Sequence, residues 1–169
     1  IGHFGSATGP SDTTIVTSGG TGRCSIKYYA PLHYTGTVTI KGWAWNKSSN
    51  PAGQTDTTSI SLTVEPSTAA GIDVTPSSVT IVVRDTTTVV AELLDAYGNH
   101  VDATSADQVT YSPTTTTPAD SAGYWAGPAT LNATTKKIER KWVGSTIKET
   151  ETVTVSYGVY SDQCQITTR

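Results

Sequence analysis

The side chains that carry most biological chemistry are sparse and scattered in this chain. His3, His33 and His100 stand in separate segments, none with a second metal ligand at useful spacing, so each reads as a surface or turn residue. Asp95, Asn99 and Asp102 place oxygens in one short stretch that would suit Ca²⁺. The stretch lacks the spacing of an EF-hand, and turn chemistry accounts for each residue. No nucleophile elbow or Ser/His/Asp order is visible. Asp107, Asp120, Glu149 and Glu151 read as solvated loop carboxylates rather than a pair flanking a cleft. The expectation is a protein without enzymatic activity, metal or cofactor.

Cys24 and Cys164 are the only cysteines; their spacing excludes a zinc site and is compatible with one bridge. A disulfide closing so long a loop would stabilise by roughly 4–5 kcal/mol in the chain-entropy account. Asn46-Lys47-Ser48 and Asn132-Ala133-Thr134 are glycosylation sequons, and Thr114–Thr117 would suit O-linked sugar. Lys136, Lys137, Arg140 and Lys141 read as the solvated face of a hairpin strand. Trp43 and Trp45 stand two residues apart, and what they do depends on the element that carries them.

Those elements are strands. Roughly 30% of the chain is Ser or Thr, with Val, Ile and Tyr at the apolar positions, a composition that suits a pleated, half-buried surface better than a helix. Charged residues make up 15% and the net charge is −3, without a long basic run, so nucleic acid is not an expected partner. No apolar run approaches the roughly 18 residues of a membrane span. The chain starts at Ile1 and contains no Met, which reads as a mature chain that has lost its leader or as an excised fragment.

Strand patterns fall at Thr13–Thr17, Cys24–Ala30, Thr37–Trp45 and Thr58–Glu65. After a small, polar break at 66–71 they resume at Ile72–Thr75, Val79–Val83, Thr87–Leu94, Gln108–Ser112, Ala129–Asn132, Lys137–Val143, Thr150–Tyr157 and Gln163–Thr168. The predicted organisation is an incomplete β domain at 1–65, a linker at 66–71 and a β-sandwich at 72–169. Alternation puts Val38 and Ile40 on one face, and Thr37, Thr39, Lys41, Trp43 and Trp45 on the other. Indoles on a polar face suit a subunit interface or sugar stacking, and a bulge at Gly42 would instead turn them inward. Trp125 and Trp142 are taken for core. Cys24 and Cys164 both have inward parity, so a bridge needs a shared core or two molecules, and two buried thiols remain the alternative.

Four strands make one sheet, whose apolar face and edges need a cover. The second half has enough strands to close by itself.

Ile72-Asp73-Val74-Thr75-Pro76, the Thr87–Val101 run with its Leu94-Asp95-Ala96-Tyr97-Gly98-Asn99 turn, and Thr152-Val153-Thr154-Val155 resemble bacterial immunoglobulin-like domains of invasin- and intimin-type surface proteins. In that turn Gly98 and Asn99 are the residues that tolerate positive φ. Gly20-Thr21-Gly22-Arg23, Tyr29-Ala30-Pro31 and Gly36–Ile40 look like the closing part of another such unit. The resemblance implies an all-β chain of two immunoglobulin-like sandwich units, the first incomplete, in an extracellular, cell-surface setting.

Half-complete units of this kind are also similar to subunits of extracellular filaments such as archaeal threads, in which a neighbour's strand completes the sandwich. Here Ile1–Thr17, or its Thr13–Thr17 core, is the candidate donor, with packing inside its own domain as the alternative. The expected role is therefore a structural subunit of a surface filament or layer. Its partners would be copies of itself, with glycans or a surface receptor as further candidates. The expected interface residues are Ile1, Phe4, Ile15, Val16, Trp43 and Trp45. A fragment of a tandem-repeat adhesin and a carbohydrate-binding module stand as alternatives.

Overall fold

The computed structural model describes residues 3–4, 25–45, 55–113 and 121–169, with backbone alone at 3, 43–45, 55 and 56. The chain is all-β; the helical structure among these residues is one short 3₁₀ turn, Ala106–Gln108. It divides into two compact units, Ile1–Pro66 and Ser67–Arg169.

In the first unit, β1 (His3–Phe4) pairs antiparallel with β2 (Tyr28–Tyr29), and β3 (Gly36–Trp45) pairs antiparallel with β4 (Thr55–Val64). The single four-stranded sheet expected from the sequence is thus, among the described residues, two separate ladders. β3 and β4 each carry a long period-two pattern. The Tyr28–Tyr29 run stops short of Pro31, which has no N–H to give a ladder. The strand expected at Thr13–Thr17 lies outside the described residues.

The second unit closes into a sandwich. One sheet has the order β10 (Tyr124–Trp125), β12 (Ile138–Val143), β7 (Thr86–Asp95), β5 (Ala69–Thr75), with β8 (His100–Val101) on β7 and β11 (Thr130–Leu131) on β12. The other has the order β6 (Ser78–Ile81), β14 (Tyr160–Thr168), β13 (Glu149–Tyr157), β9 (Thr110–Ser112). Lettered in chain order, these are the A-B-E-D and C-F-G sets of an immunoglobulin-type sandwich. Its first strand is split: β5 lies antiparallel to β7, the chain crosses at the cis Thr75–Pro76 bond, and β6 runs parallel to β14. Each of the eight segments expected in this half forms a strand. The two-residue β8 and β10 are too short to leave a periodic signal. β5 begins at Ala69, inside the segment read as a linker, because small residues at 69–71 still pair through a bulge opposite Asp95 and Leu94.

Alternation builds the core. Val89, Ala91 and Leu93 of β7, Ile138 and Trp142 of β12, Val153 and Val155 of β13, and Cys164 and Ile166 of β14 all face inward and are buried. Aromatic rings fill the centre. Trp125 packs edge-on against Trp142, with centroids 4.8 Å apart, and against Tyr111 of the opposite sheet, also 4.8 Å apart. Trp125 Nε1 donates to the Pro113 carbonyl at 2.7 Å, which satisfies its polar edge. Arg140, placed by sequence on a solvated face, follows the inward parity of Ile138 and Trp142. Its guanidinium lies 4.9 Å from the Trp125 ring centroid and 5.2 Å from that of Tyr111. Burial depresses its pKa, opposed by Tyr111, whose own hydroxyl is pushed up to about 12 by burial. Replacing Trp125 by Ala should destabilise the second unit by about 3–5 kcal/mol, read from chemical unfolding followed by far-UV circular dichroism.

Candidate assembly surface and the polar ends of the sandwich

The β3–β4 hairpin pairs Val38 with Leu62, Ile40 with Ile60 and Gly36 with Val64, so these residues share one face. Its register is continuous through Gly42, opposite Thr58, so the bulge that would have redirected the indoles is absent. Backbone parity leaves positions 43 and 45 on the Thr37, Thr39 and Lys41 face, opposite Thr57 and Thr55; their side chains lie outside the described set. On the apolar face Val38, Ile40, Leu62 and Val64 are half-buried and Ile60 is 56% exposed. No described residue of the first unit is buried, whereas every described buried residue lies in the second unit. Burial of this face is unfinished.

Of the other residues singled out by sequence, Phe4 is half-buried and packs edge-on against Tyr28, centroids 5.4 Å apart. Ile1, Ile15, Val16, Cys24 and Asn46 lie outside the described residues. Cys164, for which the sequence allowed a bridge to Cys24 within or between chains or a buried thiol, is wholly buried in the second unit and forms no disulfide among the described residues. Burial, reinforced by nearby Asp162, raises its pKa and keeps it protonated. Asn132 sits in the β11–β12 turn. Its Oδ1 accepts from Thr134 and Thr135 N–H, and its Nδ2 donates to Glu139 at 2.8 Å.

The turn read from Asp95 to Asn99 is a closed polar knot. Asp95 is 4% exposed and accepts from the backbone N–H groups of Ser67, Tyr97 and Asn99 and from Asn99 Nδ2. Burial alone would raise its pKa; the Asn99, Ser67 and Tyr97 hydrogen bonds overcome this and hold the carboxyl well below its usual range. With its lone pairs taken by these donors, Asp95 does not need a cation. Gly98 adopts the expected positive φ, +80°, but Asn99 does not share it and serves as a donor instead. His100 does have near neighbours: Nδ1 lies 2.9 Å from Glu92 and Nε2 3.2 Å from Asp102, while Lys137 Nζ reaches the other Glu92 oxygen at 2.5 Å. Sequence spacing missed this cluster because Glu92 comes from the neighbouring strand. Among the described residues no group of three His, Cys, Asp or Glu is placed to hold a metal.

Glu149 and Glu151 are not loop residues. Both lie on the inward parity of β13, where Glu149 faces Thr168 and Glu151 faces Ile166 across the ladder. Glu151 Oε1 accepts from the Gly123 N–H at 2.8 Å. Its Oε2 and the Trp142 indole N–H crowd the same glycine: a Cβ there would lie 2.5 Å from one and 2.6 Å from the other. Burial raises the Glu151 pKa and Glu149 adds to the rise, against the lowering hydrogen bonds. Glu149 Oε1 and Thr168 Oγ1 are buried at this end without partners.

No protein-family model matches the chain, and no curated protein matches it. Solved structures similar to it come from a surface-layer protein. Domains 1–6 of surface layer protein SbsC are 17% identical with a TM-score of 0.42, over 79% of this chain and 16% of that one. The S-layer protein rSbsC(31-844) is 18% identical with a TM-score of 0.41, over 80% and 17%. SbsC domains 4 and 5 are 14% identical with a TM-score of 0.41, over 93% and 86%. The chain therefore spans only a small part of the longer neighbours. Likeness at this level decides neither ancestry nor role.

The two carboxylates act with opposite signs on acidification. Asp95 has a depressed pKa, so its stabilisation is complete above the ordinary Asp value and fades as pH falls below about 3.9. Glu151 has a raised pKa, so the folded state takes up its proton first and gains stability as pH drops from neutral toward about 4.3. Chemical unfolding across this range should show Glu151→Gln losing the acid-side gain. Asp95→Asn should be less stable than the parent at pH 7 and approach it below pH 3.9.

Proposed function

We propose that the chain is a structural subunit of an extracellular surface assembly, in which another copy covers the apolar face of the β3–β4 hairpin. The observation that carries this reading is the contrast between the units. One closes its own aromatic core, while the described residues of the other bury no side chain and leave Ile60 exposed beside Val38, Ile40 and Leu62. Such a face lowers its free energy by about 25 cal/mol for each Å² removed from water. A copy of the same chain is always at hand to cover it. Strand addition by Thr13–Thr17 of a neighbour is the form of cover we favour, since His3–Phe4 is already paired with Tyr28–Tyr29 of its own unit, while Ile15 and Val16 would supply apolar side chains to an extended ladder. The surface context agrees with the Ser/Thr-rich, low-charge composition and with the immunoglobulin-type strand order of the second unit.

A second reading, a module in a tandem-repeat adhesin, is favoured by the second unit, which the chain enters and leaves at opposite ends. An assembling subunit forms ropes or arrays in negative stain, whereas an adhesin module runs as a monomer in gel filtration. In the assembling case, Ile60→Asp with Leu62→Asp should abolish the polymer. The melting of the second unit should be unchanged, since both residues belong to the first unit. A polymer that persists in the double variant would remove the hairpin face from the interface.

A further inference from the structure

Force applied along a polypeptide finds some β ladders strong and others weak, depending on whether their hydrogen bonds are loaded together or one after another. The second unit has the geometry of the strong kind. The chain enters at the Asp95 end, where the Ser67 N–H is held by the Asp95 carboxylate at 3.0 Å and Ala69 pairs with Asp95. It leaves at the opposite end, where the Arg169 N–H donates to the Ile81 carbonyl at 3.0 Å and the Val83 N–H donates to the Arg169 carbonyl at 3.3 Å.

Between these points lie the first strand and the last. β5 continues into β6, and β6 runs parallel to β14 in the register Ser78 with Gln165 through Ile81 with Thr168. The Gln165 N–H donates to the Ser77 carbonyl at 2.9 Å, so main-chain bonds flank this pairing at both ends. Upstream, the Val74 N–H of β5 donates to Asp162 Oδ2 of β14 at 2.8 Å, a second tie between the entering and leaving strands. Pulling Ser67 and Arg169 apart drags two parallel strands in opposite directions along their length. Every bond between them is stretched at once, and none can open until all do. An antiparallel hairpin pulled from its open end breaks its bonds singly.

We propose that the second unit is a tension-bearing module, with the β6–β14 ladder as its clamp and the Asp162–Val74 bond and Asp95–Ser67 knot as fastenings of the entering strand. This function is separate from self-assembly and belongs to the single molecule.

Single-molecule force spectroscopy on the full chain tests it directly. Handles are attached through Ser67→Cys and Arg169→Cys in one version, and through Ser67→Cys and Val159→Cys in another, with Cys24→Ser in both and the buried Cys164 left in place. Val159 is 92% exposed at the tip of the β13–β14 hairpin, at the entry end of the sandwich. Pulling there peels the strands in sequence. The expected result is a higher unfolding force for the 67–169 pair than for the 67–159 pair, because the β6–β14 main-chain bonds then share the load. Equal forces in the two geometries, or a weaker 67–169 pair, overturn the proposal. Val79→Pro, which removes a donor from β6 at the pairing, should lower the 67–169 force toward the 67–159 value and leave the latter unchanged. If Val79→Pro fails to fold, the comparison of pulling directions still decides.

Discussion

The structure depends on two sheets meeting over a pair of indoles. Trp125 and Trp142 are neighbours within one sheet, and Tyr111 reaches them from the other, so the aromatic contact holds the layers together as well as filling the space between them. Large rings bring large buried area, but they also bring an N–H that must be satisfied. The Pro113 carbonyl supplies this for Trp125. At Trp142 the crowding around Gly123 brings in the Glu151 carboxylate. A carboxyl group therefore stands beside an indole at the end of the core, held there by the Gly123 N–H.

That arrangement explains why charge is few in number yet structurally placed. Arg140 lies over two ring faces, Asp95 gathers the donors of a turn and the first residue of the unit, Glu151 caps the far end, and Asp162 joins β5 to β14. Each is an inward-parity residue on its strand. In a chain whose solvent face is mostly Ser and Thr, the charged side chains spared for the interior act as fasteners at the rims, where the apolar layer thins out.

The two units solve the same problem to different degrees. β-Strands of either unit present an apolar and a polar face, and only a second layer makes the apolar face stable. The second unit contains both layers. In the first, the described ladders leave Val38, Ile40 and Leu62 half-buried and Ile60 exposed, and the proposed assembly rests on that. Under the two proposals the labour would be divided, one unit contacting copies and the other transmitting load.

The sequence by itself determined the strands, because period-two alternation in Val79–Val83, Thr87–Leu94, Lys137–Val143 and Thr150–Tyr157 is a local property of which side chains tolerate water. It also determined that Trp125 and Trp142 belong inside, and that the turn after Asp95 is tight. Only the tertiary structure decided who faces whom. Arg140, Glu149 and Glu151 look like surface residues in isolation, and became interior ones when a second sheet arrived with a ring face or a glycine opposite. The His100 cluster needed Glu92 from a neighbouring strand, and the Asp95 knot needed Ser67 from 28 residues away. The parallel pairing of β6 with β14 joins segments nearly ninety residues apart. Pairing over such distances is fixed by closure of the whole sandwich, which no local pattern encodes.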